Sequence, residues 1–279
     1  MKKDIYLLDG ANGTCLWAKT GDKGPVWRYN KLFPDKVVEL AGEFIDAGSD
    51  FVLSNTFSAN RPSVEPFDFS VEEIVREGVI LAKEAAKDRA RVLLDIGPLT
   101  GLLIPFGKIA KEEARETFAE MLKYGAMEKP DGIFLETFMD LEMLKIAAEE
   151  ASKYDLPLLL SMSFTKYNPK KGGRTMFGNN PAQIAKTLAP FEPEAIGLNC
   201  SEGPEETLPI IKEFAEVTDL PLIYKPNAGM PKVEGGSEVD FDDFAREVSK
   251  AADIPTLKYI GGCCGSSPKY IEALAKMLT

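Results

Sequence analysis

The sequence predicts a single (β/α)8 barrel, because short β-rich runs alternate with amphipathic helical stretches from one end of the chain to the other. Eight strand candidates and eight helix candidates can be counted along the 279 residues. Strands joined through helices run parallel, and an open doubly wound sheet would usually have only about five to seven of them. Barrels of roughly 250 residues fold as one unit, so we expect one barrel domain over residues 1–279.

The strand candidates are, in chain order, IYLL, FVLS, RVLLDI, GIFLE, LPLLLSM, AIGLN, LPLIYK and TLKYI. The helical stretches cover residues 36–47, 71–87, 111–124, 140–153, 181–188, 204–217, 241–252 and 268–278. Pro181, Pro204 and Pro268 stand in the first turns of their helices, where a backbone N–H is not needed. Residues 13–35 and 164–180 form longer connections, which we expect to serve as mobile walls or lids.

The charge and the cysteine content argue against several classes of partner. A formal net charge of -11 would repel a phosphate backbone and an anionic membrane surface, so we expect no nucleic acid and no membrane partner. The first ten residues predict a strand and not a signal peptide, and no run approaches the ~18 apolar residues of a membrane span. Four cysteines without a secretory segment indicate a reducing, cytoplasmic compartment.

Three of the four cysteines fall where a barrel has its active site, at the C-terminal ends of the strands. Cys200 ends the sixth strand candidate, and Cys263 and Cys264 follow the eighth. The glycines that flank the pair in GGCCG allow the backbone to turn both sulfurs inward. Three thiolates at one rim predict a tetrahedral metal site with one open position.

Zinc suits this ligand set better than iron or copper, since the chain has no histidine and soft thiolates bind zinc without a redox partner. Coordination deprotonates a thiol, so the predicted chemistry is activation of a substrate thiol as a nucleophile. Two other interpretations stay open. The cysteines could be small buried hydrophobes, as we assume for Cys15, or Cys263 and Cys264 could form a vicinal disulfide, which leaves Cys200 unexplained.

The sequence resembles the homocysteine S-methyltransferases, a family that includes betaine-homocysteine methyltransferase and the homocysteine-binding module of cobalamin-dependent methionine synthase. The resemblance spans nearly the whole chain, in family order, through LLDGANGT, WRYNKLFP, SNTFSANR, GPLTG, DGIFLETFMD, GRTMFG, GLNCSEGPEE, KPNAGMP and GGCCGSSPKYIEAL. GLNC together with GGCCG is its most specific part. Tyr270 departs from the family, which often has a histidine there, and nothing in these 279 residues corresponds to the other modules of methionine synthase.

The resemblance implies that Cys200, Cys263 and Cys264 bind zinc. It also implies that the homocysteine thiol enters as the fourth ligand and then attacks a methyl group on an activated donor. Asn227, in PNAG, is similar to a residue that lends an oxygen to zinc before the substrate arrives. An asparagine at that place could equally shape a turn.

The resemblance further implies how the amino acid part of the substrate binds. Asp9 and Glu136 would receive the ammonium group. Backbone amides near Gly10 and in the turn formed by Gly13 and Thr14 would receive the carboxylate. From the residues alone, the two acidic side chains could also be a helix cap or members of surface ion pairs.

The predicted function is therefore that of a zinc-dependent enzyme that methylates homocysteine to methionine. PNAGMP and SNTFSAN look closest to the methionine synthase branch, so the expected methyl donor is a methylcobamide on a separate corrinoid protein. S-methylmethionine, S-adenosylmethionine or betaine as donor, another thiol as acceptor, and a noncatalytic zinc or thiol-amino-acid binding module stay open. No glycine-rich Rossmann fingerprint appears in the sequence.

Overall fold

Eight parallel strands form the barrel that the sequence predicts, in a computed structural model that describes residues 5–229 and 239–278. Their bounds are β1 (Tyr6–Leu7), β2 (Phe51–Leu53), β3 (Arg91–Ile96), β4 (Gly132–Phe138), β5 (Leu158–Met162), β6 (Ala195–Cys200), β7 (Leu222–Pro226) and β8 (Leu257–Ile260). Ladders join them in the order β1-β8-β7-β6-β5-β4-β3-β2. Asp50 bridges β1 and β2, because its N–H donates to Leu7 O at 2.7 Å and its Oδ2 accepts from Leu7 N at 2.7 Å.

The helices lie between the strands along the chain. Those in the described ranges are α1 (Asn12–Thr20), α2 (Tyr29–Leu32), α3 (Pro34–Asp46), α4 (Arg61–Val64), α5 (Val71–Ala86), α6 (Lys111–Met127), α7 (Leu141–Ala151), α8 (Pro181–Leu188), α9 (Pro204–Val217), α10 (Phe241–Ser249) and α11 (Pro268–Leu278). All eight predicted helices are present, and 3-10 helices cover Val26–Arg28, Glu65–Phe67, Ala189–Phe191 and Lys250–Asp253. None of the helices described is long and apolar enough to cross a bilayer.

The segment after β1 differs from the sequence-based expectation of a long loop. It contains α1, a 3-10 helix and α2. Local propensity does not favour α1, since it begins with Asn, Gly and Thr. Tertiary contacts stabilise it instead: Leu16 is buried, and Lys19 Nζ lies 2.8 Å from Glu39 Oε1 and 2.7 Å from Glu43 Oε1 on α3. By contrast, residues 164–180 contain no helix or strand in the structure.

Alternation along the strands creates two layers inside the barrel. An apolar layer is formed by two inward residues of β2 and one from each of the other strands or its edge, namely Leu8, Phe51, Leu53, Leu93, Phe134, Leu159, Ala195, Ile223 and Tyr259. Side chains two residues further along a strand face the same way. The next inward positions on β3, β4, β5 and β7 are therefore Asp95, Glu136, Ser161 and Lys225, all buried. The barrel interior thus changes from apolar to polar at its C-terminal end.

Candidate active site

The three rim cysteines meet at one point. The Sγ atoms of Cys200, Cys263 and Cys264 all lie within 4.8 Å of one another, and all three are free thiols. Cys200 Sγ is 3.8 Å from Cys264 Sγ. Three sulfurs bound tetrahedrally at ~2.3 Å from one ion would be about 3.8 Å apart. The cluster can therefore hold a metal ion, and the vicinal disulfide that the sequence left open is not formed.

Backbone geometry turns the sulfurs toward each other. Cys200 and Ser201 have φ values of 57° and 70°, in the left-handed region that costs a non-glycine residue about 1–3 kcal/mol. Strain of this size persists only where the surrounding structure imposes it. Cys263 N donates to Pro226 O at 2.9 Å, which ties the loop after β8 to the end of β7. The strained end of β6 and this tie bring Cys200 next to Cys263 and Cys264.

The thiols are difficult to ionise in the absence of a cation. The pKa of Cys263 is raised well above its usual value by its contact with Cys200 and by burial. The hydrogen bond with Cys263 lowers the pKa of Cys200, but the contact with Cys264 and burial raise it by more. The pKa of Cys200 therefore rises to about 12. A bound cation reverses this effect, because it stabilises thiolates directly. The donor set thus fits a metal that binds thiolates.

A buried ion-pair network lies in the polar layer beside the cysteines. Lys225 Nζ is 3.2 Å from Asp9 Oδ1 and 3.6 Å from Glu136 Oε2. Burial lowers the pKa of Lys225, but Glu136 and Asp9 outweigh that effect and raise it, so the lysine is charged. From the sequence, Lys225 could be placed only at the end of a strand. One feature of the sequence does indicate a role for it: Lys225 is a charged residue two positions after Ile223, so both lie on the face that points into the barrel.

Asn199 connects Glu136 to the cluster of three cysteines. Its Nδ2 lies 3.2 Å from Glu136 Oε2, 2.6 Å from Thr137 Oγ1 and 3.6 Å from Cys263 Sγ. Its Oδ1 accepts hydrogen bonds from Thr137 N at 2.7 Å and Ser161 Oγ at 2.6 Å. The sequence predicts that Asn199 lies at the rim but indicates no role for it. A fully buried amide with this many partners fixes the orientation of the groups around it.

The glycine-rich segment after β1 leads directly into α1. A Cβ on Gly10 would lie 2.4 Å from Ser266 O, so this close approach requires glycine. Gly13 and Thr14, predicted to lie in a turn, are instead in the first turn of α1, and the preceding Ala11 provides no side-chain cap. N–H groups in a first turn have no helical acceptor and attract anions. The backbone amides of Gly13 and Thr14 therefore lie at a helix N-terminus.

Asn227 follows β7 and has one unsatisfied oxygen. Its Nδ2 donates to Ser201 O at 2.8 Å, and its N–H donates to Glu202 O at 3.1 Å. Its Oδ1 is buried and has no hydrogen-bond partner among the described residues. A buried oxygen without a partner fits a ligand atom. Met230 and Pro231, which end the KPNAGMP motif, lie outside the described residues.

One cavity of about 440 Å³ joins these groups at the C-terminal end of the barrel. Its wall includes the three cysteines, the buried Asp95, Glu136 and Lys225, and the residues before and at the start of α1, namely Gly10, Ala11, Asn12, Gly13 and Thr14. Asp9 is not part of the wall; it lies behind it, paired with Lys225. The fold and the site together define a (β/α)8 barrel with a cluster of three cysteines, suited to a metal ion, next to charged groups at its rim.

The chain belongs to the homocysteine S-methyltransferase family, whose sequence profile matches residues 6–278. It is 27% identical to the methionine synthase of Mycobacterium tuberculosis over 99% of this chain and 25% of the relative, so it spans about a quarter of that protein's length. The oxidized homocysteine methyltransferase MmuM of Escherichia coli has the same fold, with a TM-score of 0.82 and 19% identity over 99% of this chain and 96% of MmuM. Its metallated form gives a TM-score of 0.80 with the same identity and coverage.

Proposed function

We propose that this protein is a zinc-dependent homocysteine S-methyltransferase that forms methionine, with a methylcobamide on a separate corrinoid protein as the methyl donor. Cys200, Cys263 and Cys264 would hold the zinc ion. Zinc at this site would supply the positive charge that keeps the substrate thiol deprotonated at neutral pH. Family membership and the metallated form of MmuM support this assignment.

The main support for this proposal is that one cavity contains a binding group suited to each polar group of homocysteine. The sulfur cluster is suited to the thiol end. Glu136 is suited to the ammonium group, and the free amides of Gly13 and Thr14 at the start of α1 are suited to the carboxylate. Three separate fixed contacts orient the thiol before it reacts, which lowers the entropic part of the barrier.

The remaining site residues position these contacts. Lys225 and Asn199 hold Glu136, so its orientation does not depend on the substrate. Asp9 was predicted to bind the ammonium group as well. That role stays a prediction. Both oxygens of Asp9 already have protein partners, since Oδ1 is paired with Lys225 and Oδ2 accepts from Leu53 N at 2.8 Å. Asn227 Oδ1, without a partner among the described residues, is the proposed oxygen ligand of the metal before substrate binds.

The charge and shape of the rim support delivery of the methyl group by another protein. The β3–α6 and β5–α8 loops, residues 97–110 and 163–180, contain no Asp or Glu but five basic residues, Lys108, Lys166, Lys170, Lys171 and Arg174, in a chain with a net charge of -11. The same loops expose Ile104, Phe106 and Met176, and the ring of Phe106 lies 5.4 Å from that of Phe177. Exposed apolar groups with basic neighbours are suited to an acidic protein partner.

A methyl-donor panel tests the proposed function. Zinc-loaded protein with L-homocysteine and free methylcobalamin is expected to form methionine with loss of the methylcobalamin spectrum, and to do so faster when a corrinoid protein carries the donor. S-methylmethionine, S-adenosylmethionine and betaine are the other arms. Rapid turnover with one of these and none above the zinc-free control with methylcobalamin would overturn the donor assignment. Thiol binding without turnover in any arm would favour the noncatalytic binding module.

Reversing the charge of the β5–α8 loop should separate docking from chemistry. Lys170→Glu with Lys171→Glu is expected to lower kcat/KM roughly tenfold with a protein-bound donor, because like charges slow association. Turnover with free methylcobalamin should be unchanged. Lys250→Glu with Lys276→Glu, at the opposite end of the barrel, is the matched control. Equal losses with both forms of the donor would contradict a docking role for this loop.

A further inference from the structure

Asp95 is a third acidic residue in the cavity, and the known functional motifs did not point to it. It is the next-to-last residue of β3, it is 4% exposed, and it forms part of the cavity wall. Its backbone is fixed on both sides, since Asp95 N donates to Ser54 Oγ at 3.0 Å and Asp95 O accepts from Thr56 Oγ1 at 2.7 Å. The position of its side chain at the wall is therefore set by the strand.

The Asp95 carboxyl has no cation of its own. Its Oδ1 is buried without a hydrogen-bond partner among the described residues. Lys225 is within ion-pair distance of Asp9 and Glu136, but no ion pair of Asp95 is found in the described part of the chain. The polar layer thus contains three acidic side chains and one lysine. Buried carboxyls normally have partners, and an unsatisfied one at a cavity wall indicates a missing ligand.

Asp9 and Asp95 differ in what they can offer a substrate. Both oxygens of Asp9 have protein partners, and Asp9 does not line the cavity. Asp95 lines the cavity, and its Oδ1 has no hydrogen-bond partner among the described residues. An ammonium group has three donors, so one carboxylate does not satisfy it. Glu136 alone would leave donors of a buried ammonium group unpaired.

We propose that Asp95, together with Glu136, directly binds the ammonium group of the amino acid substrate, while Asp9 holds Lys225 in place behind the wall. This assignment rests on the proposed function. It makes Asp95 a determinant of specificity for thiols that carry an amino group. It also explains why a carboxyl occurs at an inward position of β3 when the preceding inward residue, Leu93, is apolar.

Binding by zinc-loaded protein under reducing conditions tests the assignment without a methyl donor. The probes for calorimetry are L-homocysteine and 4-sulfanylbutanoate, which has the same thiol and carboxylate but no amino group. Asp95→Asn is expected to raise the Kd of homocysteine at least tenfold and to change the Kd of 4-sulfanylbutanoate less than twofold. Asp95→Glu should restore part of the affinity, since it returns the charge. Metal content should stay at the wild-type level.

Thermal unfolding distinguishes a binding role from a structural one. Asp95→Asn replaces a buried carboxyl that lacks a hydrogen-bond partner at Oδ1 by a neutral side chain of the same shape, so the Tm of the ligand-free protein should stay equal or rise. The matched control is Glu150→Gln: Glu150 is buried but paired with Arg115 at 2.9 Å outside the site, so its replacement should lower the Tm and leave both Kd values unchanged.

Each outcome bears on the assignment. Wild-type affinity of Asp95→Asn for homocysteine, or equal losses for both thiols, would overturn the role of Asp95 while the proposed function stands. Wild-type protein that bound neither thiol would overturn the proposed function and the role of Asp95 with it. A lowered Tm together with loss of metal in Asp95→Asn would assign the residue to structure.

Discussion

Cys200→Ser and Cys263→Ser are each expected to remove the bound metal and to lower turnover by more than roughly 100-fold. Mutation of a residue that only supports a metal ligand already costs up to about 100-fold, and a lost ligand should cost more. Serine has nearly the size of cysteine but provides no thiolate. Only two sulfurs would then remain of a set whose spacing, 3.8 Å between Cys200 and Cys264, fits one tetrahedral ion. Metal analysis of protein purified under reducing conditions, with methionine formation measured on the same samples, checks this result.

Cys15→Ser is the matched control for these variants. Cys15 lies on α1, away from the cluster of three sulfurs, and burial raises its pKa to about 11, so it is a neutral thiol. We expect one zinc ion per chain and normal turnover in this variant. Full activity of a metal-free preparation, or unchanged metal in both Cys200→Ser and Cys263→Ser, would contradict the proposed metal site.

Glu136→Ala is expected to weaken homocysteine binding by roughly 10- to 150-fold, the equivalent of about 1.5–3 kcal/mol for a charge-assisted hydrogen bond. The change should appear mainly in KM. Lys225 keeps its ion pair with Asp9, and Asn199 keeps its hydrogen bond to Thr137 Oγ1, so the surrounding network survives. Steady-state kinetics over a range of homocysteine concentrations gives the KM and kcat of the variant separately.

A surface glutamate on the following helix provides the comparison for Glu136. Glu142 is on α7 and pairs with Lys111 at 2.6 Å at the surface, so Glu142→Ala should leave KM unchanged. Zinc content should match the wild type in both variants. Loss of the metal in Glu136→Ala, or a fall in kcat with KM unchanged, would show that Glu136 acts on the metal or on a later step instead of on the ammonium group.

The fold and the cluster of three cysteines could be predicted from the sequence because both depend on local patterns. Strand and helix periodicities are set by neighbouring residues, and eight alternations are enough to define a barrel. The barrel then fixes which strand ends share a rim, so the sequence predicts that Cys200 lies near the Cys263–Cys264 pair. Glu136 could be placed at that rim by the same argument.

The partners of the charged residues were decided only by the tertiary structure. Lys225 and Asp9 are 216 positions apart, and their ion pair exists because closing the barrel brings the inner faces of distant strands within a few ångströms. The same closure places Asp95 in the cavity wall and Asp9 behind it. Helix α1 also depends on contacts with α3 instead of on its own propensity. Periodicity tells which face a side chain takes, but distances across the barrel decide which charges meet.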